Sequence, residues 1–323
     1  MENTTNNNPV YPTSSLQPHS VSPPRRFSAS FLLTYASVLA LKRSIRNCHS
    51  LFYYRLRSYL HQKPRLLLFA RVFRAYLILG PLRDTFVLYH RRFSNNKPLR
   101  VDTSSLFSDV DVNGLVDEIR HVGHAEIGNL PEEHVTEILE YCENNNKTIC
   151  WNPHKHCEMI DRISRNATII AIAKEYLGAE PILWLTQLRW SFASTDNAVN
   201  FHTSVKTKTS GYDFYKFHYD THDFKSLTVF VYLTDVSLDS GPHMIIPGTH
   251  KNKTLKRLAH IYLTDDVAQK LFPDQIKAVL GTKGLVFIED ISGYHKAAVC
   301  HKGSRLLLSI DYVLRRKPPA KEL

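Results

Sequence analysis

The sequence predicts a mainly β domain with supporting helices over its last two-thirds, preceded by a basic helical region. Between Leu183 and Val313 the chain alternates short β-branched and aromatic runs with Gly, Pro, Ser and Asp turns. Its charge is divided unequally. The first 100 residues hold 16 Lys and Arg against Glu2 and Asp84, a net of +14, whereas the other 223 hold 25 basic and 28 acidic residues, a net of −3. With 43% hydrophobic residues over 323 positions, the chain can bury a full core.

Residues 1–26 are Asn-, Thr-, Ser- and Pro-rich with almost no aliphatic content, and are expected to be a disordered tail. Residues 27–100 form a basic, apolar helical region. Phe27–Leu41 is 15 residues without charge, too short for a spanning helix of about 20. Lys42, Arg43 and Arg46 stand where a signal peptide would need small residues. In Leu66–Leu79, Arg71 and Arg74 share one helical face. That helix can lie on an anionic membrane or pack on the domain that follows. Nucleic acid is the weaker partner, since aromatic Phe52, Tyr53, Tyr54 and Tyr59 lie nearby but no binding motif does.

The β domain takes residues 101–316, with 317–323 a short tail. Pro131 with Glu132 and Glu133 suits a first helical turn, predicting a helix to Asn146. A second spans Met159–Leu177 and stops at Gly178. Thr264 with Asp265 and Asp266 opens a third, to Leu271. Strands are expected at Leu183–Phe192, around His218, and at Leu227–Val236, Gln275–Leu280, Gly284–Ile288 and Leu306–Val313. Five cysteines without a signal peptide fit a reducing cytoplasm, with peripheral membrane attachment as the variant.

Chemistry concentrates at His218-Tyr219-Asp220. Two imidazoles and a carboxylate can occupy one face of an octahedral metal, as in the 2-His-1-carboxylate triad of non-haem Fe(II) oxygenases. His124-Ala125-Glu126 and His156-Cys157-Glu158 have the same spacing. Context separates them: the first lies beside a helix-forming stretch, the second follows a Pro turn, and His218 and Asp220 alternate with apolar Phe217 and Tyr219. His295 supplies the second imidazole, 75 residues after Asp220, and Arg305 follows ten residues later. A guanidinium there could hold a dicarboxylate in a bidentate pair. Cys150, His154, His156 and Cys157 have zinc-ligand chemistry, but their spacing matches no zinc pattern and a His-rich loop is expected. His243 and His250 could face the mouth of a site, and His222 and Asp223 could touch substrate or solvent.

From Leu183 to Tyr312 the chain resembles the phytanoyl-CoA dioxygenase family of Fe(II)/2-oxoglutarate oxygenases. The resemblance rests on His218-Tyr219-Asp220, Tyr232-Leu233-Thr234-Asp235-Val236, Ser240-Gly241-Pro242, Pro247-Gly248-Thr249-His250, His295 and Arg305, in that order. It implies a double-stranded β-helix, a jelly-roll or cupin-like barrel, with His218, Asp220 and His295 as catalytic iron ligands. Arg305 would bind 2-oxoglutarate, helped by Gln187 on the preceding strand and by Ser309. Leu307 and Ala297 stand where many relatives carry Ser or Thr. The implied chemistry consumes O2 and 2-oxoglutarate, releases succinate and CO2, and hydroxylates a small-molecule, lipid or carrier-bound substrate. Related halogenases lack the carboxylate ligand, so Asp220 favours hydroxylation. A non-catalytic metal-binding barrel and a membrane-surface adaptor are the alternatives.

Overall fold

The computed structural model describes residues 64–94, 96–107, 109–145, 147–193, 214–251 and 253–315. The tails at 1–26 and 317–323 and the 27–63 part of the basic region lie outside the described residues. From Arg65 onward the chain forms one compact unit. It opens with α1 (Pro64–Leu79) and α2 (Arg83–Phe93), then α3 (Val112–Val122), β1 (His124–Asn129), α4 (Glu132–Asn145) and β2 (Ile149–Trp151). Next come α5 (Glu158–Arg165), α6 (Ala167–Leu177), β3 (Ile182–Phe192), β4 (Phe217–His218), β5 (Ser226–Tyr232) and β6 (His243–Ile245). The last elements are α7 (Leu255–Ala259), β7 (Tyr262–Leu263), α8 (Asp265–Leu271), β8 (Lys277–Val279), β9 (Leu285–Glu289), β10 (His295–Ala297) and β11 (Ser304–Val313).

Two sheets form: a large one in the order β1-β9-β5-β11-β3-β2 and a small one in the order β7-β4-β10-β6-β8. Their named strands pair antiparallel throughout. Strand alternation sorts the side chains into two cores. Leu306, Leu308, Ile310 and Tyr312 of β11 join Val229 and Val231 of β5 against Ile169, Ile172 and Ala173 of α6. The opposite faces meet between the sheets, where Phe230, Tyr232, Ile245, Val279 and Phe287 cluster. This is the jelly-roll, double-stranded β-helix arrangement expected.

Most predicted elements form, with instructive differences. The expected helix 159–177 is two helices, because Asn166 leaves helical backbone and its side chain accepts from the N–H groups of Thr168 and Ile169, capping α6. The strand expected to run to Val236 ends at Tyr232, and Val236 makes only an isolated bridge to Gly281. β1, β2 and α3 were not foreseen. β1 carries His124-Ala125-Glu126, so that triplet also lies on a strand rather than merely beside a helix. α1 and α2 pack on the rest of the unit: Ala75, Ile78, Leu79 and Val87 are buried in the larger core, and Arg74 donates to the Thr221 carbonyl at 3.2 Å.

Candidate active site

One register sets the site. In the β4–β10 ladder His218 faces His295 directly, and the two rings stand 4.5 Å apart at their centroids. β4 is only two residues long, so Asp220 lies just past it, fixed by its N–H donating to the Ile291 carbonyl at 2.8 Å. Phe217 and Tyr219, on the opposite side, are buried in the core and hold the triplet's orientation. Ligand atoms of His218, Asp220 and His295 all lie within 4.8 Å of one another, the one such grouping among the described residues. Cys150, His154, His156 and Cys157 therefore do not assemble a site; His154 Nδ1 instead meets Thr186 Oγ1 at 2.7 Å.

The donor set fits Fe(II). His218 Nδ1 is 2.8 Å from the Lys216 carbonyl and His295 Nδ1 is 3.1 Å from the Gly293 carbonyl. A carbonyl only accepts, so each Nδ1 carries the proton and each Nε2 presents its lone pair. Such backbone partners fix the tautomer of a metal-binding histidine. Burial and the neighbouring His218 push the His295 pKa down to about 4, keeping it neutral.

Behind the triad stands Glu289, which the sequence did not single out, paired with His243. Glu289 on β9 is buried and meets His243 Nε2 at 2.5 Å. Its other oxygen lies 3.8 Å from His295 Nδ1. Burial raises the Glu289 carboxyl to about 7, against the lowering influence of His295, and burial drives His243 down to about 3. His243 thus stacks on His295, with ring centroids 5.5 Å apart, as a neutral donor inside the barrel rather than at its mouth.

Arg305 opens β11 on the face turned to the small sheet, 2% exposed. It donates to the Gly241 carbonyl and, at 3.3 Å, to Ser191 Oγ, while its buried Nε has no partner. Among the described residues, no carboxylate contributes to its charge balance. A buried guanidinium with an unused donor fits the distal carboxylate of 2-oxoglutarate. Gln187 and Ser309 face each other across the β3–β11 ladder, on the same side as Arg305.

Other candidates settle elsewhere. His222 stands beside the triad, its Nε2 3.8 Å from Asp220 and its ring against Trp184. Asp223 is structural: it accepts from the N–H groups of Leu314 and Arg315 and pairs with Arg315 Nε. His250 turns away from the triad, its Nε2 donating to the Arg120 carbonyl at 3.2 Å. His124 is a half-buried, neutral imidazole, lowered to about 4 by desolvation, beside a cavity of about 10 Å³.

Residues 135–299 match the sequence profile of the family described as phytanoyl-CoA dioxygenase (PhyH). The chain is 20% identical over 213 residues to a probable alpha-ketoglutarate-dependent hypophosphite dioxygenase of Stutzerimonas stutzeri, covering 62% of this chain and 69% of that protein. It is similar to the crystal structure of AviO1 from Streptomyces viridochromogenes Tue57, at 14% identity, 66% and 100% coverage and a TM-score of 0.47. It is also similar to SnoN, a non-heme alpha-ketoglutarate dependent epimerase from nogalamycin biosynthesis, at 16% identity, 62% and 82% coverage and a TM-score of 0.48. The family match spans half of the chain, and the protein belongs to the phytanoyl-CoA dioxygenase family as an Fe(II)- and 2-oxoglutarate-dependent dioxygenase.

Proposed function

We propose that His218, Asp220 and His295 hold the iron, that Arg305 anchors 2-oxoglutarate, and that the enzyme hydroxylates a small organic or lipid-like substrate. The observation that carries this reading is the direct register of His218 with His295, which brings their ligand atoms and that of Asp220 within 4.8 Å of one another. Iron(II), once bound with 2-oxoglutarate and O2, supplies the oxidative decarboxylation to succinate and CO2 and the oxidation of a C–H bond. The chain supplies position. Backbone carbonyls of Lys216 and Gly293 keep both imidazoles in the Nε2-binding tautomer. Arg305 orients the co-substrate by its carboxylate, and Gln187 and Ser309 are assigned as polar neighbours on the same face. The apolar cluster of Phe230, Tyr232 and Phe287 excludes water. Asp220 occupies the position that a halogenase leaves open, so hydroxylation is the outcome assigned. Succinate release by the wild type and its loss in Asp220→Ala test this; full 2-oxoglutarate turnover in the variant would overturn it.

A second reading concerns α2. A cavity of about 350 Å³ is lined by Arg83, Arg91, Arg120, Lys225, Lys251 and the exposed Leu88, among others. Burial lowers the Lys225 amine to about 8; Asp290 opposes this, while Arg83, Arg91 and Arg120 add to it. Cations beside an exposed apolar side chain suit an anionic membrane surface. We assign the α2 face to peripheral membrane contact. Flotation of the full chain should favour phosphatidylserine vesicles over phosphatidylcholine, with the preference reduced about tenfold in Arg91→Gln/Lys251→Gln. Equal flotation of wild type and variant would remove the assignment.

A further inference from the structure

The barrel holds a second guanidinium that the iron and 2-oxoglutarate chemistry leaves unused. Arg189 on β3 pairs with Leu307 on β11, two positions along the ladder from the Ser191–Arg305 pair. Alternation therefore sets Arg189 on the sheet face that carries Arg305, Ser309 and Gln187. Its buried Nε makes no hydrogen bond. Its guanidinium carbon lies 4.1 Å from the centre of the Phe214 ring, which leaves the hydrogen-bonding edge of the fork open.

The charge balance around it is one-sided. Burial pushes the Arg189 pKa down to about 10; Tyr215 opposes the fall and Arg305 adds to it. The groups felt by Arg305 are Tyr232, Tyr215 and Cys300. Among the described residues, no carboxylate acts on either arginine. A desolvated charge needs a partner, and one that also feels a like charge needs it more acutely. 2-Oxoglutarate brings one carboxylate to this end of the barrel, and Arg305 accounts for it. One cation remains.

We propose that Arg189 is a substrate-binding residue and that the substrate carries an oxyanion, a carboxylate or phosphate group, held by its guanidinium. This rests on the iron and 2-oxoglutarate reading of the site and deepens it by naming a substrate class. A planar fork of N–H donors matches either oxyanion in a bidentate pair, whereas a lysine would offer only a point charge. Arg189 would then fix the substrate by its charged end and present a neighbouring C–H bond toward His218 and His295. Neutral hydrocarbons and uncharged alcohols would be poor substrates.

The test uses the full-length protein loaded with Co(II) and 2-oxoglutarate. Methyl-proton line broadening by the paramagnetic metal reports which small probes reach the site. Methylphosphonate and acetate should broaden saturably and acetamide should not. In Arg189→Gln the anion affinity should fall about tenfold or more, the worth of a charge-assisted hydrogen bond, and Arg189→Lys should recover part of it. Calorimetric 2-oxoglutarate affinity should change less than about threefold in Arg189→Gln while collapsing in Arg305→Gln. Equal loss of 2-oxoglutarate affinity in both variants would make Arg189 a co-substrate ligand and overturn the proposal. So would anion binding that survives in Arg189→Gln, or acetamide binding as well as acetate. A wild type that binds both metal and 2-oxoglutarate but shows no anion preference sinks this inference alone. A wild type that binds neither sinks the site reading and the inference with it.

Discussion

Glu289 Oε2 lies 2.5 Å from His243 Nε2 inside the barrel, and the pair backs directly onto His295. A buried carboxylate behind a metal-binding imidazole raises the ligand's basicity and opposes the metal's charge. Glu289→Gln keeps the shape and removes the charge. Fe(II) affinity should fall about tenfold to a hundredfold, measured by anaerobic metal titration. Unchanged affinity would reduce Glu289 to a packing residue.

Arg305 holds two hydrogen bonds within the protein and leaves Nε for a ligand. Arg305→Gln should raise the 2-oxoglutarate KM about tenfold to a hundredfold, the loss of a charge-assisted hydrogen bond. The KM for substrate should move far less. Steady-state succinate assays that vary each separately check this.

Arg83 of α2 reaches Asp290 at 3.1 Å and also donates to the Phe224 and His250 carbonyls. Burial works to raise the Asp290 carboxyl, but Arg83, His250, Ser292 and Tyr176 together hold it well below the usual carboxylate range. Arg83→Met strands a buried charge and should destabilise the protein by about 3 kcal/mol at neutral pH. Because the folded-state pKa is depressed, the stabilisation is present above the ordinary aspartate pKa and lost as pH falls below it. The stability difference between wild type and variant, followed by urea unfolding, should therefore shrink below about pH 4.

Lys253 is buried with its Nζ 4.3 Å and 4.9 Å from the Tyr219 and Tyr294 ring centres, donating to the Thr249 carbonyl. Burial lowers its pKa to about 7, against the raising influence of Asp290. A depressed lysine costs stability when protonated, so between pH 7 and pH 9 the unfolded chain binds more protons and stability rises. Wild type should gain on the order of 2 kcal/mol over Lys253→Met across that window. Thermal unfolding at the two pH values measures it; parallel behaviour would show that Lys253 titrates normally.

The triad was legible because an H-x-D triplet, a second histidine and an arginine recur in fixed order along one chain. The strand criterion that separated the three triplets was less sound, since His124 also lies on a strand; what distinguishes His218 is its partner across the ladder. Glu289 and Arg189 left a usable signal, each a charged residue inside an otherwise strand-forming run. Their partners could not be read, because His243 and Glu289 are 46 residues apart and lie on strands of different sheets. The break at Asn166 escaped because both flanks favour helix, and only the local cap shows that the chain restarts.

The most direct test is an oxygen-free titration of the full chain with Fe(II) and then 2-oxoglutarate, following the visible charge-transfer band of the chelate. The account predicts the band in the wild type and its absence in His218→Ala/His295→Ala. A band of equal intensity and affinity in that double variant would contradict it.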